Sequence, residues 1–185
     1  MKKILIKGHL SIIANIILNY DNEISYYLGR NDAESFVKLL GELKNGTLVT
    51  QDSNGEKATF IIVDGKTKYK AEVIDEKVNF NIKIKMYCDL NAYEGDNFKT
   101  IKNETVETFK KNIEVDTKRK LVNTFNIIKE NGGFDVLHFG RRLLQSDKNA
   151  YKLLKNDWQN NFKNSNLNVD VEVVIRRIGE ESYHE

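Results

Sequence analysis

The chain has 185 residues, with 29 Lys and Arg against 27 Asp and Glu, one Cys and no Pro. Such a length can bury a core without disulfides or structural metals, and the near-balance of charge excludes the basic stripe that nucleic-acid binding needs. No apolar run approaches a membrane span, and no apolar leader follows the N-terminal lysines, so we predict a soluble chain without signal peptide or lipobox. We predict a single domain over residues 1–185, with its core at about 12–179 and a flexible tail at 180–185.

The first elements of the chain are predicted to be two strands and a helix. The Ile-rich segment 12–20 and the segment 24–28 are typical of strands, and a polar turn separates them. A helix is predicted next, because Asn31 or Asp32 can accept hydrogen bonds from its free N–H groups and Asn45-Gly46 is typical of a helix end. Its apolar stripe has helical spacing: Phe36, Leu39, Leu40 and Leu43.

A series of strands is predicted after this helix, at 47–51, 59–63, 68–74 and 78–86. Polar turns are predicted between them at 52–55, Asp64-Gly65 and Asp75-Glu76. The Asp-Gly pair is the strongest hairpin signal of the three. On the last of these strands the even positions are apolar and the odd positions polar, which indicates a sheet with one wet face and antiparallel pairing.

The second half of the chain changes to helical periodicity. A long helix is predicted over 103–131, and Gly132-Gly133 ends it. Shorter helices are predicted at about 136–144 and 149–162, before a final strand. The long helix has a continuous stripe: Val106, Phe109, Ile113, Thr117, Leu121, Phe125 and Ile128. The final strand has one apolar face: Leu167, Val169, Val171, Val173 and Ile175.

Together these elements predict an α+β fold. We expect an antiparallel sheet with a long helix and shorter helices packed on one face, and a C-terminal strand that returns into the sheet. The final strand has to reach back across the helices, because its alternating pattern requires a sheet partner. No low-complexity linker or clear domain break interrupts this arrangement.

No set of residues predicts catalysis, a cofactor or a metal. The histidines His9, His138 and His184 are scattered, and none has a second ligand at metal-binding spacing. Asp135 is expected to cap the helix that follows it, because a catalytic carboxylate would need a paired acid in a cleft. Gly132-Gly133 lacks the spacing and the lysine of a phosphate loop. We therefore predict no catalytic, cofactor-binding or metal-ligating residues, no cofactor and no enzymatic activity.

Other conspicuous residues have structural explanations. Cys88 lies in an alternating strand and is expected to be a small buried side chain. Gly140 is expected to allow close packing or a positive φ angle. Arg176 is expected to pair with a carboxylate across the sheet, or else to meet an acid of a partner. Residues 52–55 resemble half a calcium loop but are more simply a hairpin turn, and the basic run 118–120 is expected to be a solvated helix face.

Several motifs, taken in their order and spacing, resemble one known family. The turn Asp135-Val-Leu-His-Phe-Gly140 follows the long helix, Trp158 and Phe162 lie in a later amphipathic helix, and the chain closes on a valine-rich strand ending Ile175-Arg-Arg-Ile-Gly179. The alternating strand 82–90 also fits. Over about 12–179 the chain resembles the C-terminal domain of GerC-type proteins, the C subunit of nutrient germinant receptors in spore-forming bacteria.

Three positions depart from the pattern of that family. His138 stands where the family usually has Gly, Tyr151 where a Trp is common, and Lys148 near the place of a usual Pro. These departures concern the local geometry of turns more than the fold.

The resemblance implies a non-enzymatic subunit that takes part in spore germination. Family members are lipoproteins on the outer face of the spore inner membrane, where they work with an integral-membrane A subunit and a transporter-like B subunit. They begin with a signal peptide, a lipobox cysteine and two further domains. Because this chain shows none of these, its lipid anchor is expected to be absent, and we interpret it as an excised domain or a short paralogue.

We expect the chain to be a protein-interaction scaffold that shifts a receptor equilibrium by docking to partner subunits. The alternative is a module that binds a small nutrient directly, which would need an apolar pocket with a few convergent polar groups. A third hypothesis is an enzyme of unknown class, and titrating groups clustered in a pocket would favour it.

Overall fold

The computed structural model describes residues 15–18, 24–95, 101–131, 134–178 and 181–182. Within them, the strands are β1 (Asn15–Leu18), β2 (Ile24–Leu28), β3 (Thr47–Gln51), β4 (Lys57–Ile74), β5 (Lys77–Tyr93), β6 (Asn166–Ile178) and β7 (Glu181–Ser182). The helices are α1 (Arg30–Leu39), α2 (Asn103–Asn131), α3 (Phe139–Ser146), α4 (Lys148–Leu154) and α5 (Trp158–Lys163), with a 3-10 turn (Lys155–Asp157) before α5. The first two strands form a separate hairpin, and the other five form one sheet in the order β3-β4-β5-β6-β7.

The predicted α+β fold, with a C-terminal strand that returns into the sheet, is confirmed. One detail differs, because the sheet is mixed rather than purely antiparallel. The strands β3, β4 and β5 pair antiparallel, whereas β6 runs parallel to β5, from Asn79 beside Asn166 to Leu90 beside Ile178. A parallel pair needs a crossover connection, and the helices α2 to α5 supply it between β5 and β6.

The predicted turn at Asp64-Gly65 is wrong, because β4 is one strand where two were expected. The chain passes through this point with a bulge: Ile62 pairs with Cys88, Asp64 pairs with Tyr87, and the residue between them is skipped. Glycine is required at position 65 because a side chain would not fit there, and not because the chain turns. A Cβ atom added there would lie 2.6 Å from the Cδ1 atom of Leu43, which is buried against the strand.

The turn predicted at Asp75-Glu76 is confirmed as the real end of β4. Both residues have left-handed backbones, with φ angles of 50° and 61°. Two such residues form the type I′ connection that matches the twist of a hairpin. Ile74 and Lys77 pair on either side of this two-residue loop.

The predicted caps of α1 are wrong at both ends. The N-cap is Gly29, which has no capping side chain, and Asp32 instead accepts a hydrogen bond of 2.8 Å from the Thr124 hydroxyl of α2. The helix also ends before the predicted 45–46, and the chain turns at Gly41 with a φ angle of +95°. The Asp32 side chain therefore forms a tertiary hydrogen bond instead of the helix cap that the local sequence suggested.

The long helix is confirmed over the predicted residues 103–131, and its stripe is buried against the sheet. The buried face includes Val106, Phe109, Ile113, Thr117, Leu121, Phe125 and Ile128. The facing side chains of the sheet are also buried: Phe80, Ile82, Ile84, Met86, Val169, Val171, Val173 and Ile175. This packing removes the apolar faces of both elements from water and forms one continuous core.

The last strand places the end of the chain against the sheet. The two residues of β7 pair with Arg177 and Ile178. Of the tail predicted to be flexible at 180–185, residues 180 and 183–185 lie outside the described part of the chain, and that prediction stays untested.

Gly65→Ala and Gly65→Asn should each lower the free energy of unfolding, by about 1–3 kcal/mol, because the new Cβ overpacks against Leu43. The asparagine should be the worse of the two. Gly55 is the matched control, since it has a φ angle of +87° and open space around its Cα, so Asn should be tolerated better than Ala there. Chemical denaturation measures both pairs. Better tolerance of Asn than Ala at position 65 would mean that the residue turns the chain.

Candidate interaction surface

Asp135 is the polar centre of the motif that is most conspicuous in the sequence. Its two carboxylate oxygens accept hydrogen bonds from the backbone N–H groups of Phe139 and Gly140, at 2.7 and 2.6 Å. The predicted capping of the following helix is thereby confirmed. The second oxygen also accepts a hydrogen bond of 3.0 Å from the indole Nε1 of Trp158, which the sequence did not predict. All three donors belong to the fold itself, so the Asp135 carboxylate connects α5 to the start of α3.

Gly140 allows the indole of Trp158 to pack directly on the backbone of α3. A Cβ at this position would lie 2.8 Å from Cε2 of Trp158, so the predicted role in close packing is confirmed. His138 immediately precedes α3 with a φ angle of +57°, and its exposed side chain does not cap the helix. A glycine would adopt that backbone more easily than histidine, which suits the family pattern noted above.

Two arginines, Arg176 and Arg142, hold structural elements together. Arg176 donates to both carboxylate oxygens of Asp89 at 3.2 Å, which confirms the predicted pairing across the sheet. Arg142 of α3 lies over the ring of Tyr69 at 4.0 Å, and the Tyr69 hydroxyl donates to the carbonyl of Leu39 at 2.9 Å. This second group was not predicted, because its members are separated along the chain and no local pattern relates them.

Two other candidates are also confirmed as structural. Cys88 is fully buried, and burial together with the Asp89 charge raises the pKa of its thiol from 9.0 to about 12. Such a thiol is not a nucleophile at neutral pH.

Asp52 forms the predicted hairpin turn by accepting hydrogen bonds from the backbone N–H groups of Asn54 and Glu56. The hydroxyl of Tyr93 donates to it at 2.7 Å, and this bond, more than any other contact, lowers the pKa of Asp52.

The described residues show neither a metal-binding cluster nor a membrane-spanning helix. They contain no cluster of three His, Cys, Asp or Glu that could hold a metal ion. Among their helices, none is both long enough and apolar enough to cross a bilayer. His9, His184 and Gly132-Gly133 lie outside the described residues, and the prediction that the chain has no catalytic residues stays a prediction.

Four hollows of the described surface are either very small or wide open. The most enclosed one lies between α1, β3 and α2 and has a volume of about 50 Å³. Three others are open depressions of about 370, 550 and 650 Å³. Binding pockets for small molecules are usually enclosed and measure about 300–1,000 Å³.

The wet face of the sheet carries four consecutive cross-strand polar pairs between β5 and β6. Asn166 donates to Asn79 at 3.0 Å and Asn168 to Asn81 at 3.1 Å. Lys83 lies 3.8 Å from Asp170, and Lys85 forms an ion pair with Glu172. These pairs specify the register of β6, because a slip of one residue would separate all of them.

Exposed apolar side chains are found outside that ladder, on several elements. The larger ones among the described residues are Tyr27, Val49, Ile61, Ile74, Val115, Leu144 and Leu153. Scattered exposed residues of this kind are normal, whereas adjacent ones can mark an interaction site. Val49 of β3 and Val115 of α2 both line the depression of about 550 Å³. Sequence reasoning missed this pair, although the uncharged segment Thr47–Gln51 was a usable signal.

Asp135→Ala should lower the free energy of unfolding by about 2–4 kcal/mol, because it removes a helix cap and a charged partner of the indole. Trp158→Phe keeps the ring packing but removes the Nε1 donor. In the double variant the two costs should not add, and chemical denaturation of all four proteins gives the coupling energy. Simple additivity would show that the carboxylate–indole bond does not contribute to stability.

Raising the pH from 8 to 10 should lower the free energy of unfolding by about 1 kcal/mol through Cys88 alone. The unfolded thiol loses its proton above pH 9, while the buried thiol keeps its proton until about pH 12. Stability is therefore complete below pH 9 and is lost progressively between these values. Cys88→Ala should lack this component, and denaturation at both pH values compares the two proteins. An equal loss in both would contradict the assignment.

Comparison with known proteins agrees with this geometry. The family model described as "Spore germination B3/ GerAC like, C-terminal" matches residues 15–179. A solved structure titled "Crystal Structure of the GerBC protein" has a TM-score of 0.75 and 18% identity, over 84% of this chain and 48% of that chain. At that identity the likeness shows the fold alone, and this chain spans about half the length of the GerBC chain.

No curated protein matches the sequence significantly. The match of the family model, over nearly the whole chain, confirms the resemblance drawn from the Asp135–Gly140 turn and the closing strand. The chain belongs to the spore germination B3/GerAC-like C-terminal family.

Proposed function

We propose that the chain is the docking domain of a C subunit in a nutrient germinant receptor, and that it acts as a protein-interaction scaffold without catalysis. One observation carries this proposal. The side chains that would suggest a chemical site, Asp135, Asp52 and Arg176, use their polar atoms to hold elements of the fold together. What remains available to another molecule is the outer surface of a packed body.

The partners that we propose are the integral-membrane A subunit and the transporter-like B subunit of the receptor. Family membership supports a spore-germination context for the chain. The corresponding location is the outer face of the spore inner membrane. Docking would act by favouring one state of the receptor, in proportion to the difference in affinity for its states.

The alternative function is direct binding of the nutrient. The small enclosed hollow supports it less well, since about 50 Å³ is below the size of ordinary ligand pockets. The larger depressions are open and lined mainly by charged and polar side chains. Burial of a sugar or an amino acid would need more enclosure than these surfaces offer.

The tagged chain, co-expressed with A- and B-type germinant-receptor subunits, should retain them through detergent extraction and affinity capture. An unrelated tagged domain of equal net charge serves as the control for non-specific retention. In parallel, amino acids and sugars should give no saturable rise in melting temperature. A nutrient at a hundred times its dissociation constant would add about 2.7 kcal/mol, a shift of roughly 5–11 °C.

The two results separate the functions. Failure to retain either subunit, together with a saturable thermal shift, would replace the scaffold with a nutrient sensor. Reproducible turnover of a substrate, lost through a single substitution, would replace both with an enzyme.

A further inference from the structure

Within the described part of the chain, the outer edge of β3 has open backbone groups. Ile62 N–H donates to the Gly46 carbonyl at 2.8 Å and Asp52 N–H donates to the Glu56 carbonyl at 3.0 Å, so even-numbered residues face β4. Thr47, Val49 and Gln51 therefore direct their N–H and C=O groups away from the sheet. The Gln51 carbonyl accepts a hydrogen bond of 3.0 Å from the Asn112 side chain of α2. Within the described residues, the outward groups of Thr47 and Val49 have no backbone or side-chain partner.

This edge also lacks two of the features by which proteins usually protect an edge strand. The sequence Thr-Leu-Val-Thr-Gln has neither a charged residue nor a proline. The outer edge of β6 is different, because Val173 N–H donates to the Glu114 carboxylate at 2.9 Å and the strand carries Asp170 and Glu172. Of these two edges, β3 is the one left ready for pairing with another strand.

Two exposed valines line a depression beside the open edge. Val49 is 63% exposed and Val115 is 60% exposed, and only Leu153 exceeds them among the described large apolar side chains. Both valines line the open depression of about 550 Å³, together with the side chains of Lys57 and Lys111. An added strand could therefore bury apolar surface as well as form backbone hydrogen bonds.

The charge around this edge is strongly positive. Three adjoining hollows share Val49 and are lined by seven cations and three acids, whereas the whole chain has an excess of only two cations. Asp116, one of the three acids, already pairs with Arg119 and with Lys120 at 2.6 Å. An incoming segment thus meets an excess of cations.

We propose that the edge of β3 binds an extended acidic segment of a partner subunit, which pairs with Thr47 and Val49 as an added strand. An apolar side chain of the segment contacts Val49 and Val115, and its carboxylates reach Lys57 and Lys111. This inference rests on the scaffold function proposed above and names the surface and the chemistry of the partner. A second copy of the chain fits less well, because pairing two β3 edges would oppose two cationic rims.

The probe is a blocked, fluorescent peptide of about seven residues that alternates Glu and Val, enough to span the five residues of β3. Its matched counterpart alternates Lys and Val. Fluorescence anisotropy should show saturable binding of the acidic peptide to the full chain, weakened by salt, and about tenfold weaker binding of the basic peptide. Absence of binding by the acidic peptide, or equal binding of both, would overturn the proposal.

Variants locate the binding site. Val49→Asp should weaken binding of the acidic peptide about tenfold, whereas Ile74→Asp, the same change at an exposed residue beside the β4–β5 turn, should leave it unchanged. Lys111→Glu should weaken it about threefold, and Lys152→Glu on α4 should not. Both positions on the edge are exposed, so melting temperatures close to that of the parent should show that the variants fold.

Two outcomes would overturn the proposal without affecting the scaffold function. Co-purification of the receptor subunits with Val49→Asp at the parent level would place the docking surface elsewhere. Light scattering that shows a dimer of the parent chain, lost in Val49→Asp, would identify a second copy as the occupant of the edge.

Discussion

A cluster of four phenylalanines joins the helices to the sheet, and the rest of the structure depends on it. Phe139 of α3 is the central member, with ring centroids 4.6 Å from Phe80 of β5, 5.8 Å from Phe125 of α2 and 6.4 Å from Phe162 of α5. All four rings are almost completely buried. Because each ring comes from a different element, their contacts position three helices over one strand at the same time.

The polar residues near this cluster serve the same arrangement. Asp135 holds the start of α3 and the indole of Trp158, and Lys129 donates to the Ser165 carbonyl at 2.6 Å while lying 5.0 Å from the Phe125 ring. Burial lowers the pKa of Lys129. The polar atoms of these groups form hydrogen bonds within the fold, as polar atoms in a packed region must. Interactions with other molecules are therefore left to the surface. A rigid body with an open strand edge is suited to docking.

Periodicity in the sequence predicted most of the elements and the faces that they bury. The stripe from Val106 to Ile128 predicted α2 with its bounds, and the alternation of β5 and β6 predicted which side chains meet that helix. The motif around Asp135 was correctly interpreted as a helix cap. Local signals failed at Asp64-Gly65 and at Asp32, where a contact from a distant part of the chain decides the outcome.

The sequence by itself determined the α+β class, the long helix, the returning strand and the family, because each depends on spacing along the chain. Only the tertiary structure decided that β6 runs parallel to β5, that β4 continues through Gly65, and that Val49 and Val115 share an exposed depression. The physical reason is that side-chain alternation specifies which face of a strand is buried. It does not specify the direction of the strand, its neighbours or which edge of the sheet stays open.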